Sequence, residues 1–130
     1  MCVSVVLTIL LGATAAADLV YETVEAKEGS NSKMICDMTP MYLPDRVNLL
    51  LWYRGNALHP FYKYDTRNAN PERDSDSSGS KYHLQILNDD RAELSVASVT
   101  ILDEDIYHCR VEFFRSSSTV THVNFTVIGK

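Results

Sequence analysis

Two cysteines 73 residues apart, Cys36 and Cys109, limit what this chain can become more than any other feature. A third, Cys2, sits at the edge of an uncharged apolar run, Val3 to Ala17, that ends in three alanines. That run is short for a bilayer span, which takes about 20 residues, and its small-residue end is of the kind a signal peptidase accepts. Residues 1–17 are therefore expected to be a cleaved secretory signal, and residues 18–130 a mature extracellular domain. Loss of Cys2 leaves an even pair in an oxidising compartment, and such a pair reads as a disulfide. A catalytic or metal-bound thiol is the weaker reading. Neither Cys has a second Cys or a His at ligand spacing, and His108, a strand neighbour of Cys109, points to the other face. A bridge closing so long a loop constrains the unfolded chain by roughly 4 kcal/mol on the loop-entropy model.

Between and around the cysteines, turn signals alternate with short β-branched and aromatic segments: Leu19–Ala26, Lys33–Met38, Val47–Arg54, Pro60–Asp65, Lys81–Leu87, Ala92–Val96, Ile106–Phe114 and Thr119–Ile128. Short strands at this spacing, with no helix-period stretch, predict an all-β antiparallel sandwich. The polar run Thr66–Ser80 is expected to hold a short edge strand and a loop. Alternation then assigns faces. Leu50, Trp52, Tyr107, Cys109 and Val111 point inward, as do Tyr62, Tyr64, Val123, Phe125 and Val127. Leu49, Leu51, Tyr53, His108, Arg110, Glu112, His122 and Asn124 point outward.

Cys36, Trp52 and the run Asp105-Ile106-Tyr107-His108-Cys109 resemble the core signature of an immunoglobulin domain. In such a sandwich one disulfide pins two sheets about 10 Å apart and the Trp packs on it. Tyr107, two residues before the second Cys, stands where a corner tyrosine returns its hydroxyl to the backbone. The resemblance further implies an ion pair between Asp105 and Lys81, and apolar slots filled by Leu94 and Ile101. The segment Phe61–Asp65 and the long run after it favour the variable (V-set) type.

A narrower likeness is carried by LLLWYRGNALHPFYKYDTR, GSKYHL, AELSV, DEDIYHCRVEFFRSS and VNFTVI. Together they resemble the first immunoglobulin domain of the arthropod Sidestep family, cell-surface receptors that guide motor axons by binding Beaten path proteins. The matching motifs are Leu51-Trp52-Tyr53, Pro60/Tyr62/Asp65, Cys109–Phe113 and Val123–Ile128. The chain departs from that pattern in stopping at Lys130, and in having Pro71-Glu72-Arg73-Asp74 where a Trp would stand. The first departure raises two expectations: a secreted one-domain relative, or the N-terminal part of a longer receptor held at the cell surface.

Composition removes other classes. With 17 acidic against 12 basic side chains and a net charge of -5, there is no basic patch for nucleic-acid phosphates or anionic lipid. No apolar run is long enough to cross a membrane. His59, His83, His108 and His122 lack HxH or HxxxH spacing, so neither a metal nor a cofactor is expected. Asp103-Glu104-Asp105 reads as a turn, with Asp103 and Glu104 solvated, and not as a catalytic carboxylate pair. No enzyme activity is expected. Asn124-Phe125-Thr126 is the single N-glycosylation sequon.

Two functional readings follow. In the first, the outer sheet face binds another immunoglobulin protein, of the Beaten path type as the resemblance implies, or a second copy of the chain. Leu51, Tyr53, Phe61, Lys63, Arg110, Glu112 and Phe114 are its expected partner-binding residues, because exposed apolar and aromatic side chains beside Arg typify interface cores. In the second, a secreted immune-type domain recognises ligands through the loops Asp37–Arg46, Thr66–Ser80 and Phe113–Ser118.

Overall fold

The computed structural model describes residues 21–67, 72–75, 81–88 and 90–129. The expected signal segment, with Cys2, lies outside these residues, as does most of the Thr66–Ser80 run. Among the described residues nine strands follow one another: β1 (Tyr21–Lys27), β2 (Ser32–Asp37), β3 (Val47–Arg54), β4 (Tyr62–Asp65), β5 (Glu72–Ser75), β6 (Tyr82–Asn88), β7 (Arg91–Val96), β8 (Asp105–Phe113) and β9 (Thr119–Ile128). They form a six-stranded sheet in the order β1-β9-β8-β3-β4-β5 and a three-stranded sheet in the order β2-β7-β6. Two extra strands beside the β9-β8-β3 trio make this an immunoglobulin-like sandwich of variable type. β5 is the short edge strand expected within the polar run.

Alternation builds the core. Val47–Arg54 forms β3 with Leu50 and Trp52 fully buried, in register with Val111 and Cys109 of β8 and with Tyr64 and Tyr62 of β4. From the facing sheet come Met34, Cys36, Leu84, Leu94 and Val96. Cys36 and Cys109 join the two layers with Cα atoms 6.0 Å apart, beside the fully buried Trp52. The Tyr107 hydroxyl donates to the Asp103 carbonyl across the turn before β8, and burial raises its pKa.

The structure corrects four expectations. The sheets are not wholly antiparallel: β1 pairs in parallel with β9, from Tyr21↔His122 to Lys27↔Ile128. Gly29, with φ of 90°, then carries the chain across to β2 in the other sheet, its N–H donating to Val99. Val99 is fully buried where Ile101 was expected, while Ile101 is 54% exposed. Phe61 turns inward, its ring 4.8 Å from Tyr82 and 5.9 Å from Tyr107, so it belongs to the core margin and not to the outer face.

The fourth correction concerns the ion pair. Lys81 binds Asp103 (Nζ–Oδ2 2.8 Å), and Asp105 binds Arg54 (Nε–Oδ2 3.0 Å). Residues 97–104 cross from the three-stranded to the six-stranded sheet, and Ile101–Asp103 forms a 3-10 turn within that crossing. Asp103 is therefore buried on the side where Lys81 enters β6, instead of solvated, and it also accepts the Thr100 N–H. Asp105 already belongs to β8, where the end of β3 presents Arg54.

Candidate recognition face

The outer side of the six-stranded sheet is built by cross-strand rows. Tyr53 lies opposite His108, which lies opposite His122, which lies beside Tyr21. The next row contains Lys63, Leu51, Arg110 and Val120, and the one beyond it Asp65, Leu49 and Glu112. The second and third rows alternate apolar with charged groups, and the first sets two imidazoles between two tyrosines, a mixture unusual for a surface that meets only water.

Leu51 is only 8% exposed although it stands on the outer face. It occupies a central strand between Lys63 and Arg110, and long aliphatic stems in such positions cover apolar neighbours while their charges stay in water. Leu51 thus supports the face from beneath and is not an accessible anchor. Tyr53 and Lys63 are half-buried, and Phe114 is 47% exposed with the Arg46 guanidinium 4.4 Å from its ring centroid.

Four of the charges on this face are paired among themselves. Arg110 Nε meets Glu112 Oε2 at 3.1 Å, and Arg67 grips Asp65 through two bonds of 2.9 and 2.7 Å. The Arg67 guanidinium holds the Asp65 carboxyl well below the usual carboxylate range. Any partner that engages Arg110 must therefore compete with Glu112 or satisfy both groups. Asn124 is half-buried lower on the same face, between Thr23 of β1 and Ile106 of β8.

His108 and His122 are brought together, with Nδ1 atoms 2.7 Å apart and rings nearly perpendicular. Local spacing hides the pair, because the two belong to different strands. Their equal distance from Arg115 at the tip of the β8–β9 hairpin is the available signal. Among the described residues no group of three or more His, Cys, Asp or Glu is placed to hold a metal.

At the loop end, the β2–β3 and β8–β9 connections are braced to each other. Asp45 accepts the backbone N–H groups of Ser116 (2.6 Å) and Arg115 (3.1 Å), and that of Arg46 at 2.8 Å. Met41, Tyr42 and Leu43 remain 69–80% exposed beside the brace. Between this loop and the sheets lies an open cleft of about 690 Å³, lined by Met38, Leu43, Arg46, Tyr64 and Ile86 among others.

Partial desolvation acts to raise the Asp45 pKa, but bonds from Ser116, Arg46 and Arg115 outweigh it and bring it down to about 2. A depressed carboxylate contributes stability above its unfolded value of about 3.9, and that contribution fades as pH falls through the folded value. The brace is therefore expected to survive at pH 3 and to open near pH 2. A carboxyl NMR titration of Asp45 with its midpoint near 4 would contradict this.

No family model matches the chain, and no curated protein does. Solved structures match in fold. The extracellular domain of the voltage-gated sodium channel beta4 subunit aligns with TM-score 0.66 and 15% identity, over 88% of this chain and 99% of that one. That protein is described as a parallel homodimer with a role in cell-cell adhesion. Murine CRIg aligns with TM-score 0.65 and 14% identity, over 82% of this chain and 92% of that one. The extracellular portion of mouse CD200RLa aligns with TM-score 0.63 and 15% identity, over 85% of this chain and 57% of that one. Among the described residues, no helix is long and apolar enough to cross a membrane.

Proposed function

We propose that this chain is an extracellular recognition module that docks the outer face of its six-stranded sheet onto the sheet of a second immunoglobulin protein. The observation that carries this reading is the alternation of aromatic, apolar and charged side chains on that face around Tyr53 and Arg110. Following the resemblance to the Sidestep family, the partner is of the Beaten path kind. The adhesion role and homodimer of the beta4 subunit lend support to sheet-bearing domains of this fold acting between cells. Tyr53 and Phe114 are the desolvated anchors, since aromatic side chains carry much of the hot-spot energy. Lys63, Arg110 and Glu112 set register and partner choice. A sheet of this size buries roughly 800 Å² per partner. A glycan on Asn124 occupies the lower part of the face and leaves the upper rows for the partner.

The second reading, recognition through the loops, is favoured by one observation, the exposed Met41-Tyr42-Leu43 tip beside the Asp45 brace. A binding assay against a panel of extracellular immunoglobulin proteins, with the chain itself included, separates the two. Tyr53→Ala and Arg110→Glu are expected to abolish binding with an unchanged melting curve. Normal binding by both, with loss on Tyr42→Ala, would assign recognition to the loops.

A further inference from the structure

We propose that His108 and His122 form a two-nitrogen clip for a divalent cation of the imidazole-seeking class, Cu²⁺ or Zn²⁺. This is independent of what binds the rest of the face. The two residues are directly paired across β8 and β9, so the backbone ladder fixes their spacing, and their Nδ1 atoms converge to 2.7 Å. In the metal-free pair, one ring donates its Nδ1 proton and the other accepts it. Two imidazole nitrogens bound to one ion at 2.0–2.1 Å with tetrahedral angles lie roughly 3.3 Å apart. A small opening of the pair therefore admits an ion in place of the shared proton. The donor ring carries that proton on its Nε2 instead, which frees both Nδ1 lone pairs for the ion.

Burial, and then the neighbouring His108, lower the pKa of His122, and its ring is flanked by Tyr21 at 5.3 Å. On the other side, β3 presents Tyr53 to His108. The clip opens to the outer face, so water or a carboxylate or imidazole from outside completes the coordination. Two nitrogens without a hard oxygen set discriminate against Mg²⁺ and follow the general order in which Cu²⁺ exceeds Zn²⁺.

The test is calorimetric titration of the chain with Cu²⁺, Zn²⁺ and Mg²⁺ at neutral pH. The expected result is one ion per chain, Cu²⁺ tighter than Zn²⁺, and no Mg²⁺ heat. His108→Gln and His122→Gln are each expected to weaken binding by about tenfold or more, since even indirect disturbance of a metal ligand costs about 10–100-fold. His83→Gln, on the other sheet, leaves binding unchanged. A measurement on the unaltered chain guards against misfolded variants: substoichiometric Cu²⁺ should broaden the imidazole NMR signals of His108 and His122 before those of His59 and His83. Absence of binding in the unaltered chain, or binding that both single variants retain, would overturn the proposal.

Discussion

Replacing Cys36 and Cys109 together by alanine is expected to lower the unfolding free energy by about 4 kcal/mol, most of the stability of a marginal domain. Three features set this size. The bridge closes a 73-residue loop, so its removal frees more than half of the unfolded chain. Apart from the backbone connections, it is the covalent link between the two sheets among the described residues. Both cysteines are fully buried beside Trp52, so the alanines leave a void as well. Urea denaturation of the double variant checks this. A midpoint equal to that of the parent would mean that packing alone holds the layers. The double variant is preferable to a single one, because a lone buried thiol can form intermolecular bridges.

The second large effect is expected at the crossing between sheets. Asp103→Ala should cost about 3–5 kcal/mol, because it strands a partly buried charge. The Lys81 ammonium, 22% exposed, loses its carboxylate, and the Thr100 N–H loses its acceptor at the same time. Asp105→Ala should cost about 0–1 kcal/mol, since the Arg54–Asp105 pair is more than a third exposed on both sides and water replaces it. Lys81→Met combined with Asp103→Leu should recover most of the loss, because it removes the uncompensated charge. Denaturant melts of the four proteins decide the assignment. Equal costs for the two aspartates would return the structural role to Asp105.

The same pair of aspartates marks where the sequence is legible and where it is not. Period-two alternation is a local property, and together with the flanking turn signals it bounds β3 and β9 to the residue. Counted back from Cys109, that rule runs to Asp105; before it a 3-10 turn replaces the two-residue period, so alternation does not bear on Asp103. Alternation puts Leu51 on the correct side of the sheet, but its burial depends on the lengths of Lys63 and Arg110 across two other strands. Phe61 precedes β4, so strand alternation has no authority over its direction. Non-local partners are the hardest to see. Nothing near Tyr21 announces that it will lie beside His122, and nothing near His108 announces the imidazole that faces it.

The parallel pairing of β1 with β9 also determines how the module carries tension. The two strands run in one direction over seven paired positions, so Tyr21 and Ile128 lie at opposite ends of the sandwich. A pull between these points slides β1 lengthwise along β9 and loads the hydrogen bonds of the ladder together. A hairpin pulled from its open end would instead lose its bonds singly, in sequence. If the ladder yields, β1 leaves first, as it is an edge strand. Behind it the Cys36–Cys109 bridge shortens the path of force through the domain, and the segment between them cannot be drawn out. Tyr53 and His108 lie within that shielded segment and Arg110 directly follows it, so the face can stay assembled while the strand at its margin gives way.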